Sequence, residues 1–573
     1  MGVLEKLNHF VYNPTNLDMS RSRFPLAHEH KLTMKSGELV PIYLEEVIAG
    51  DTFDMKVSNV TRMITPAVPV MDNAFLDTFF FFVPFRLCTF GEKDFQKIFG
   101  ENTTSAWVPS SESTLANTGN VFNLSSLVQV KAGSALNHLG FPIMGASALT
   151  KDFSTMPLMA YVKIWNEWFR DQNTMAPYTP LNAVALANFL SDKCLKVSKS
   201  HDYFTSCMIS SQKGNAVILP IGGVAPVSAR AESHIHQGDS VASLRFIDFV
   251  PTGFTNGIYT GKSQGPEISF NGAYKNLILD TITQGSTGNA TVDESIYQPS
   301  GSSYPATPTN LYADLASATA ASVNEIRQAF AIQRLLEKDA RGGSRFREIL
   351  KAHFGVTIPD LTVQVPEYLA GKRIPLNVTQ VLQTADTSNG PLGTTGAFSN
   401  SSFYDRSFIK SFNEPGYVVG VACIRTAQSY SQGVHKLWTR NRRYDFYDPT
   451  FANLGEMPVY KRELYLQGLT NNNIDEVFGF NEAWAEYRYH PNLVTGYLAP
   501  DANDPLLAKW TYTNNFSAVP VLNSSFMEQP SSQIDDTLVM KGGYYQFIVD
   551  YYFDVKATRP MPVFSIPGLL DHH

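Results

Sequence analysis

Charge is scarce in this 573-residue chain: Lys, Arg, Asp and Glu together make up 17% of it, against about 25% in an ordinary soluble domain. The net charge of −7 and a pI near 6.0 exclude a chain that holds nucleic acid by overall charge alone. Cysteine is scarcer still. Cys88, Cys194, Cys207 and Cys423 have no CxxC spacing, which excludes a disulfide scaffold and an ordinary zinc site and leaves buried, reduced thiols as the expectation. Long apolar runs are missing too. Phe79–Phe85 is the longest, far short of the roughly 20 residues that cross a bilayer. The N-terminal Met1-Gly2-Val3-Leu4-Glu5-Lys6 has no secretory pattern, and Lys6 stands where a myristoylation signal needs Ser or Thr.

Hydrophobic residues at 43%, with 38 Phe and 26 Tyr, are enough for a large core. Low charge with many aromatics fits a chain that hides much of its surface in homo-oligomer contacts; a large β-rich monomer has the same composition. Along the chain, Phe53, Met55 and Val57 alternate with polar neighbours, the period of a half-buried strand. Residues 74–85 are richer in Phe and end at a proline, as a central strand would. Leu158, Tyr161, Val162, Trp165, Trp168 and Phe169 recur at helical spacing behind Pro157, an aromatic stripe that reads as core. Ser322 and Glu325 form a capping box for a helix over 322–341 that ends at Gly342-Gly343. A short helix with Phe346, Ile349, Leu350 and Phe354 on one side follows. Gly416–Thr426 is a strand candidate, and Tyr545–Val555 alternates most cleanly of all. Between these, residues 225–320 are dominated by Gly, Ser, Thr, Ala and Asn. They read as an inserted, loop-rich surface module with short strands such as Ser243–Val250. Strong strands near both ends, with helices and loops between, suit one antiparallel barrel or sandwich and not a βαβ series.

Catalytic and metal motifs are few. His28-Glu29-His30 and His234-Ile235-His236 place two imidazoles on one face of a strand, but the Glu that a cupin-type site adds is absent after both, so polar or interface histidines are the expectation and no metal site is assigned. Gly261-Lys262-Ser263 lacks the first glycine of a phosphate loop, Asn256 standing there. The one GxSxG spacing, Gly261-Lys262-Ser263-Gln264-Gly265, is not flanked by a strand and a helix and so is not read as a nucleophile elbow, and HExxH does not occur. The basic clusters carry more. Arg425, Lys436, Arg440, Arg442 and Arg443 fall in a stretch without an acid, interleaved with Tyr430 and Trp438. Cations beside exposed rings are the chemistry of sequence-tolerant single-strand binding, phosphates neutralised and bases stacked. The competing reading is a solvated face or salt-bridged subunit contacts. Arg341, Arg345 and Arg347, with Lys351, form a second cluster, partly neutralised by Glu337, Asp339 and Glu348.

Several long blocks then resemble a known family. They begin with Phe24-Pro25-Leu26-Ala27-His28-Glu29-His30-Lys31, Leu39-Val40-Pro41-Ile42-Tyr43, and Asp72-Asn73-Ala74-Phe75 leading to Val83-Pro84-Phe85-Arg86. They continue with Gln333 to Gly343, His353-Phe354-Gly355-Val356, Pro366-Glu367-Tyr368-Leu369 and Asn413-Glu414-Pro415-Gly416-Tyr417-Val418. They close with Tyr444-Asp445-Phe446-Tyr447, Pro449-Thr450-Phe451-Ala452, Leu454-Gly455-Glu456 and Val477 to Tyr489. In order and spanning most of the chain outside 225–320, they resemble the major capsid proteins of the Microviridae, the gokushovirus-like branch most closely. The resemblance implies a mainly β protein, residues 1–573 forming one eight-stranded antiparallel jelly roll with long, partly helical inserted loops. It implies self-assembly into a T=1 icosahedral shell around a circular single-stranded DNA genome, no enzyme activity, and a virion location after assembly in the host cytoplasm. It further implies an outward role for 225–320 against a host cell-surface receptor, and a pilot protein and a small basic DNA-binding protein as partners. Relatives can hold structural calcium, but no acidic cluster in this sequence places a site, and no cofactor is assigned. The alternative is a β-sandwich that binds or acts on carbohydrate, its aromatics stacking on sugars.

Overall fold

Two-residue periodicity becomes a sheet wherever one face of the strand can be buried. In the computed structural model this happens twice, in two antiparallel sheets. The structure describes residues 20–91, 94–98, 115, 118–215, 217, 323–384, 386, 392–393, 395–470, 473–500, 506–539 and 545–564, with short strands between 227 and 313. The chain divides into two compact units, residues 1–214 with 336–573, and residues 215–335.

The strands of the first unit's main sheets are β1 (Ser22–Pro25), β2 (His28–Met34), β3 (Val40–Val47), β4 (Thr52–Met63), β5 (Ala74–Pro84), β6 (Glu367–Leu376), β7 (Ser401–Ser411), β8 (Gly416–Thr426) and β9 (Phe547–Arg559). One sheet has the order β1–β9–β4–β7, with β2 also paired to β9; the other has the order β6–β5–β8–β3. Strands from the two ends of the chain are thus neighbours, with Phe547 opposite Met63 and Thr558 opposite Thr52. From β2 onward the chain changes sheet at every step except β5 to β6. The sheets do not join into a closed barrel among the described residues.

The core lies between the sheets. Tyr43 of β3 meets Phe553 of β9 at 5.0 Å between ring centroids, Phe80 of β5 meets Phe553 edge-on at 6.4 Å, and the hydroxyls of Thr78 and Tyr551 share a hydrogen bond of 3.0 Å. Each such ring contributes about 1.5–3 kcal/mol by leaving water. β4 and β9 alternate buried and wetter positions, as the sequence predicts; Ile548 and Tyr552, on the outer face of β9, are exposed. β5 does not alternate, because its second face is also covered: Phe79 and Phe81 pack on Phe169 and Trp168. Those rings come from the helix Met156–Ile164 and the π-helical turn Trp165–Phe169 that continues it. The aromatic stripe is core, as read, and Trp165 and Trp168 donate their indole N–H groups to the carbonyls of Lys196 and Pro366.

The helix expected over 322–341 is Val323–Arg341, ended by Gly343 at φ +88°; Ser322 of the expected capping box lies outside the described residues. The next helix, Phe346–Phe354, ends at a left-handed Gly355. Its Phe346 and Phe354 are exposed in the single chain. The second unit contains short antiparallel pairs, Gly253–Thr255 with Ile258–Thr260, Arg245–Phe246 with Ile268–Ser269, and Val227–Ala229 with Leu311–Ala313. Of the expected strand Ser243–Val250 only Arg245–Phe246 is described, and most of 225–320, including His234, His236 and Gly261-Lys262-Ser263, lies outside the described residues. All four cysteines are buried free thiols. No described helix is long and apolar enough to cross a membrane.

Candidate nucleic-acid interface

The stretch from Arg425 to Arg443 contains no acid, yet the fold supplies acids to three of its five cations. Asp77 sits in the middle of β5, between β6 and β8. Across one pairing Arg373 lies directly opposite it, and across the other Arg425 lies on the diagonal, two residues beyond Cys423. Arg373 grips the carboxylate with two hydrogen bonds of 2.7 and 2.9 Å. Arg425 adds a third of 3.1 Å and donates its Nε to the Ser198 carbonyl at 3.0 Å. Arg425 is therefore a structural cation, its side chain 12% exposed.

Farther on, Glu486 is brought back from a 3₁₀ turn, Ala485–Tyr487. Arg440 binds it at 2.8 Å and lies 4.5 Å above the Tyr487 ring. Lys436 approaches the same carboxylate at 4.0 Å and donates to the Pro458 carbonyl. The second cluster is neutralised in the same way. Arg341 pairs with the buried Glu456, and Arg345 with Glu348 at 3.1 Å and Glu167 at 3.9 Å. Arg347 pairs with Asp360 at 2.9 Å while stacking 3.9 Å above Trp168.

Trp438, Arg442 and Arg443 are placed differently. Trp438 projects from the turn Lys436–Thr439 and is 77% exposed. Arg442 and Arg443 are exposed in the next turn, where the Arg442 backbone N–H donates to Asp445, and neither side chain has an ion pair among the described residues. Tyr444, Phe446 and Tyr447 beside them are exposed. This is a short run of accessible cations and rings, able to meet phosphates and bases together. Sequence reasoning could not divide the candidates in this way, because Asp77 lies 348 residues from Arg425 and Glu486 lies 46 from Arg440.

The His28–His30 pair is not gathered around a metal position. His28 stacks on Tyr43, and the Nδ1 atoms of His28 and His30 lie 3.0 and 2.7 Å from the carbonyls of Leu26 and Ile42. Among the described residues no three His, Cys, Asp or Glu side chains form a group that could hold a metal ion.

The phage capsid protein (F protein) family matches this sequence from residue 14 to residue 569. The chain belongs to that family. Capsid protein VP1 of Bdellovibrio phage phiMH2K is 34% identical to it over 588 positions, covering 99% of both chains. Capsid protein VP1 of Chlamydia phage 1 is 32% identical, with 98% of each covered, and that of Spiroplasma virus 4 is 32% identical, with 96% of this chain and 95% of the relative covered. The chain is thus a bacteriophage capsid protein of the Microviridae, whose work is structural and not enzymatic. For a Microviridae capsid protein, self-assembly into a shell gives a use to exposed apolar groups such as Phe346 and Phe354, which a solitary subunit would leave in water.

Proposed function

We propose that this capsid protein builds a T=1 icosahedral shell around a circular single-stranded DNA genome and meets that DNA on the inner face through Trp438, Arg442 and Arg443. The observation that carries the DNA contact is the exposed run itself: the other candidate cations are held by carboxylates of their own chain. The T=1 geometry and the circular genome rest on the family resemblance. A jelly roll is the reading that best accounts for the strand orders. With β1 and β2 taken as two halves of one strand, eight strands fall four to a sheet and change sheet at every step but β5 to β6, as a rolled-up Greek key allows. In this reading residues 1–573 are one capsid domain, and the module at 225–320 projects outward toward a host receptor. A pilot protein completes the particle, a small basic protein supplies the positive charge that a subunit at −7 lacks, and assembly takes place in the host cytoplasm. No cofactor enters the proposal.

The test is a triple substitution, Trp438→Ala with Arg442→Ala and Arg443→Ala, read by electron microscopy and by nuclease-protected DNA per particle. Shells should close with reduced DNA content. Loss of two phosphate contacts per subunit should lower the salt dependence of single-strand binding by about 1.4 in log–log slope. Normal DNA content and an unchanged slope would remove this segment from the interface.

A further inference from the structure

Among the described residues, one basic side chain has neither solvent nor a carboxylate within ion-pair distance. Lys199 is 4% exposed. Its ammonium makes one hydrogen bond, a long one of 3.4 Å to Asn514 Oδ1, and lies 4.4 Å from the Phe526 ring centroid. An ammonium has three donors, so two are left over. No ion pair satisfies them among the described residues. Asp202, the acid with the largest influence on Lys199, is already occupied by the Tyr430 hydroxyl at 2.6 Å and by the Thr205 hydroxyl and the N–H groups of Phe204 and Thr205. Glu528 is turned to Lys196 at 3.5 Å. Asn514 is itself held by Gln533, Gln428 and the Ser429 carbonyl, so it cannot swing to serve the cation better.

Lys199 is among the residues that line a cavity of about 480 Å³. Asn515, Asn523 and Ser525 supply polar groups to its wall, Val519 and Val521 apolar ones, and Glu528 and Asp536 are also on the lining. A buried cation with spare donors on the lining of a cavity selects an anion. The two acids on the lining disfavour a polyanion such as DNA and leave room for a single carboxylate. The polypeptide that this chain is established to meet is another copy of itself, and that copy carries an excess of acids, 52 against 45 Lys and Arg.

We propose that the cavity over Lys199 is a carboxylate-binding site that is filled, when the shell forms, by an Asp or Glu side chain of a neighbouring copy. An incoming carboxylate completes the ammonium's hydrogen bonds and neutralises it where water cannot. The site thereby couples subunit docking to relief of a buried, uncompensated charge. In the single chain, burial pushes the Lys199 amine down to about 8; a docked carboxylate reverses that shift.

The test compares dissociated subunits with assembled particles. The pH dependence of reductive methylation at Lys199 is followed by peptide mass spectrometry. Subunits should give a midpoint near 8. Particles should give one near the ordinary lysine value, lowering the reactive neutral fraction at pH 8 by about a hundredfold. A midpoint that stays near 8 in particles, however slow the labelling, overturns the proposal. Zero-length carbodiimide coupling of particles should yield a dimer joined through Lys199 and an acidic residue; coupling only to Asp202, Glu528 or Asp536 within one chain also overturns it. Lys199→Met should give folded subunits that assemble at least tenfold less well, with recovery in Lys199→Arg. Wild-type assembly by folded Lys199→Met refutes the site.

Discussion

Replacing Asp77 by Asn should unfold the dissociated subunit more readily than removing either arginine that it holds. The carboxylate is almost fully buried and accepts three charge-assisted hydrogen bonds, two from Arg373 and one from Arg425. The amide has nearly the same shape, but it turns one acceptor into a donor aimed at a guanidinium and removes the only negative charge between two positive ones. Breaking a buried pair in this way costs about 3–5 kcal/mol. The structure puts this case near the lower end, since the Arg373 side chain is 50% exposed and can rehydrate, whereas Arg425 is 12% exposed and cannot. Arg373→Met leaves Asp77 with Arg425 and removes a pair that is half in water, so about 1 kcal/mol or less is expected. Arg425→Met leaves Asp77 held bidentately by Arg373 but orphans the Ser198 carbonyl, for about 1–2 kcal/mol. The double variant Asp77→Asn with Arg425→Met should recover part of the single-site loss, because the uncompensated charge disappears with its partner. Urea unfolding of dissociated subunits, followed by tryptophan fluorescence, reads all four. If Asp77→Asn falls within about 1 kcal/mol of wild type, or if Arg373→Met costs as much as Asp77→Asn, the account of a buried anion shared by unequal arginines is wrong.

Other expectations follow from single sites. A Cβ at Gly433 would collide with the Glu463 carbonyl oxygen and lie 2.7 Å from the Leu464 nitrogen. Backbone atoms cannot yield as a side-chain tip can, so Gly433→Ala should cost about 3 kcal/mol or more and lower the yield of folded subunit, read by the same urea unfolding. The Lys199 amine is lowered in the fold to about 8 by burial, so between pH 8 and about 10.5 the unfolded chain binds the proton that the folded one has released. Subunit stability must therefore gain a component that rises with pH, by about 1 kcal/mol per unit at most. Buried tyrosines such as Tyr551 oppose this trend near the top of the window, since burial raises them; the difference between wild type and Lys199→Met isolates the lysine, and parallel pH profiles for the two would contradict the assignment.

Some of this protein could be read from the sequence because the deciding interactions are local or periodic. The two-residue alternation in Thr52–Met63 and in Phe547–Arg559 places one face of each strand in a core whatever lies opposite. The helical spacing of Trp165, Trp168 and Phe169 marks a buried stripe, and Gly342-Gly343 stops a helix where Gly343 takes a positive φ angle. Long ordered blocks such as Val477 to Tyr489 point to the capsid family for the same reason, since each is contiguous.

The tertiary structure decided which cations are spent and which are available. Arg425 and Arg443 belong to one acid-free stretch, yet antiparallel pairing with β5 gives Arg425 a carboxylate, and among the described residues nothing comparable reaches Arg443. It also decided that Lys199, an unremarked residue in the sequence, is buried with no ion-pair partner among the described residues. The physical reason is the same in each case. The period of a strand or helix is written in neighbouring residues, whereas the charge state, solvation and partner of an ionic group are set by whatever the fold brings within a few ångströms from hundreds of residues away.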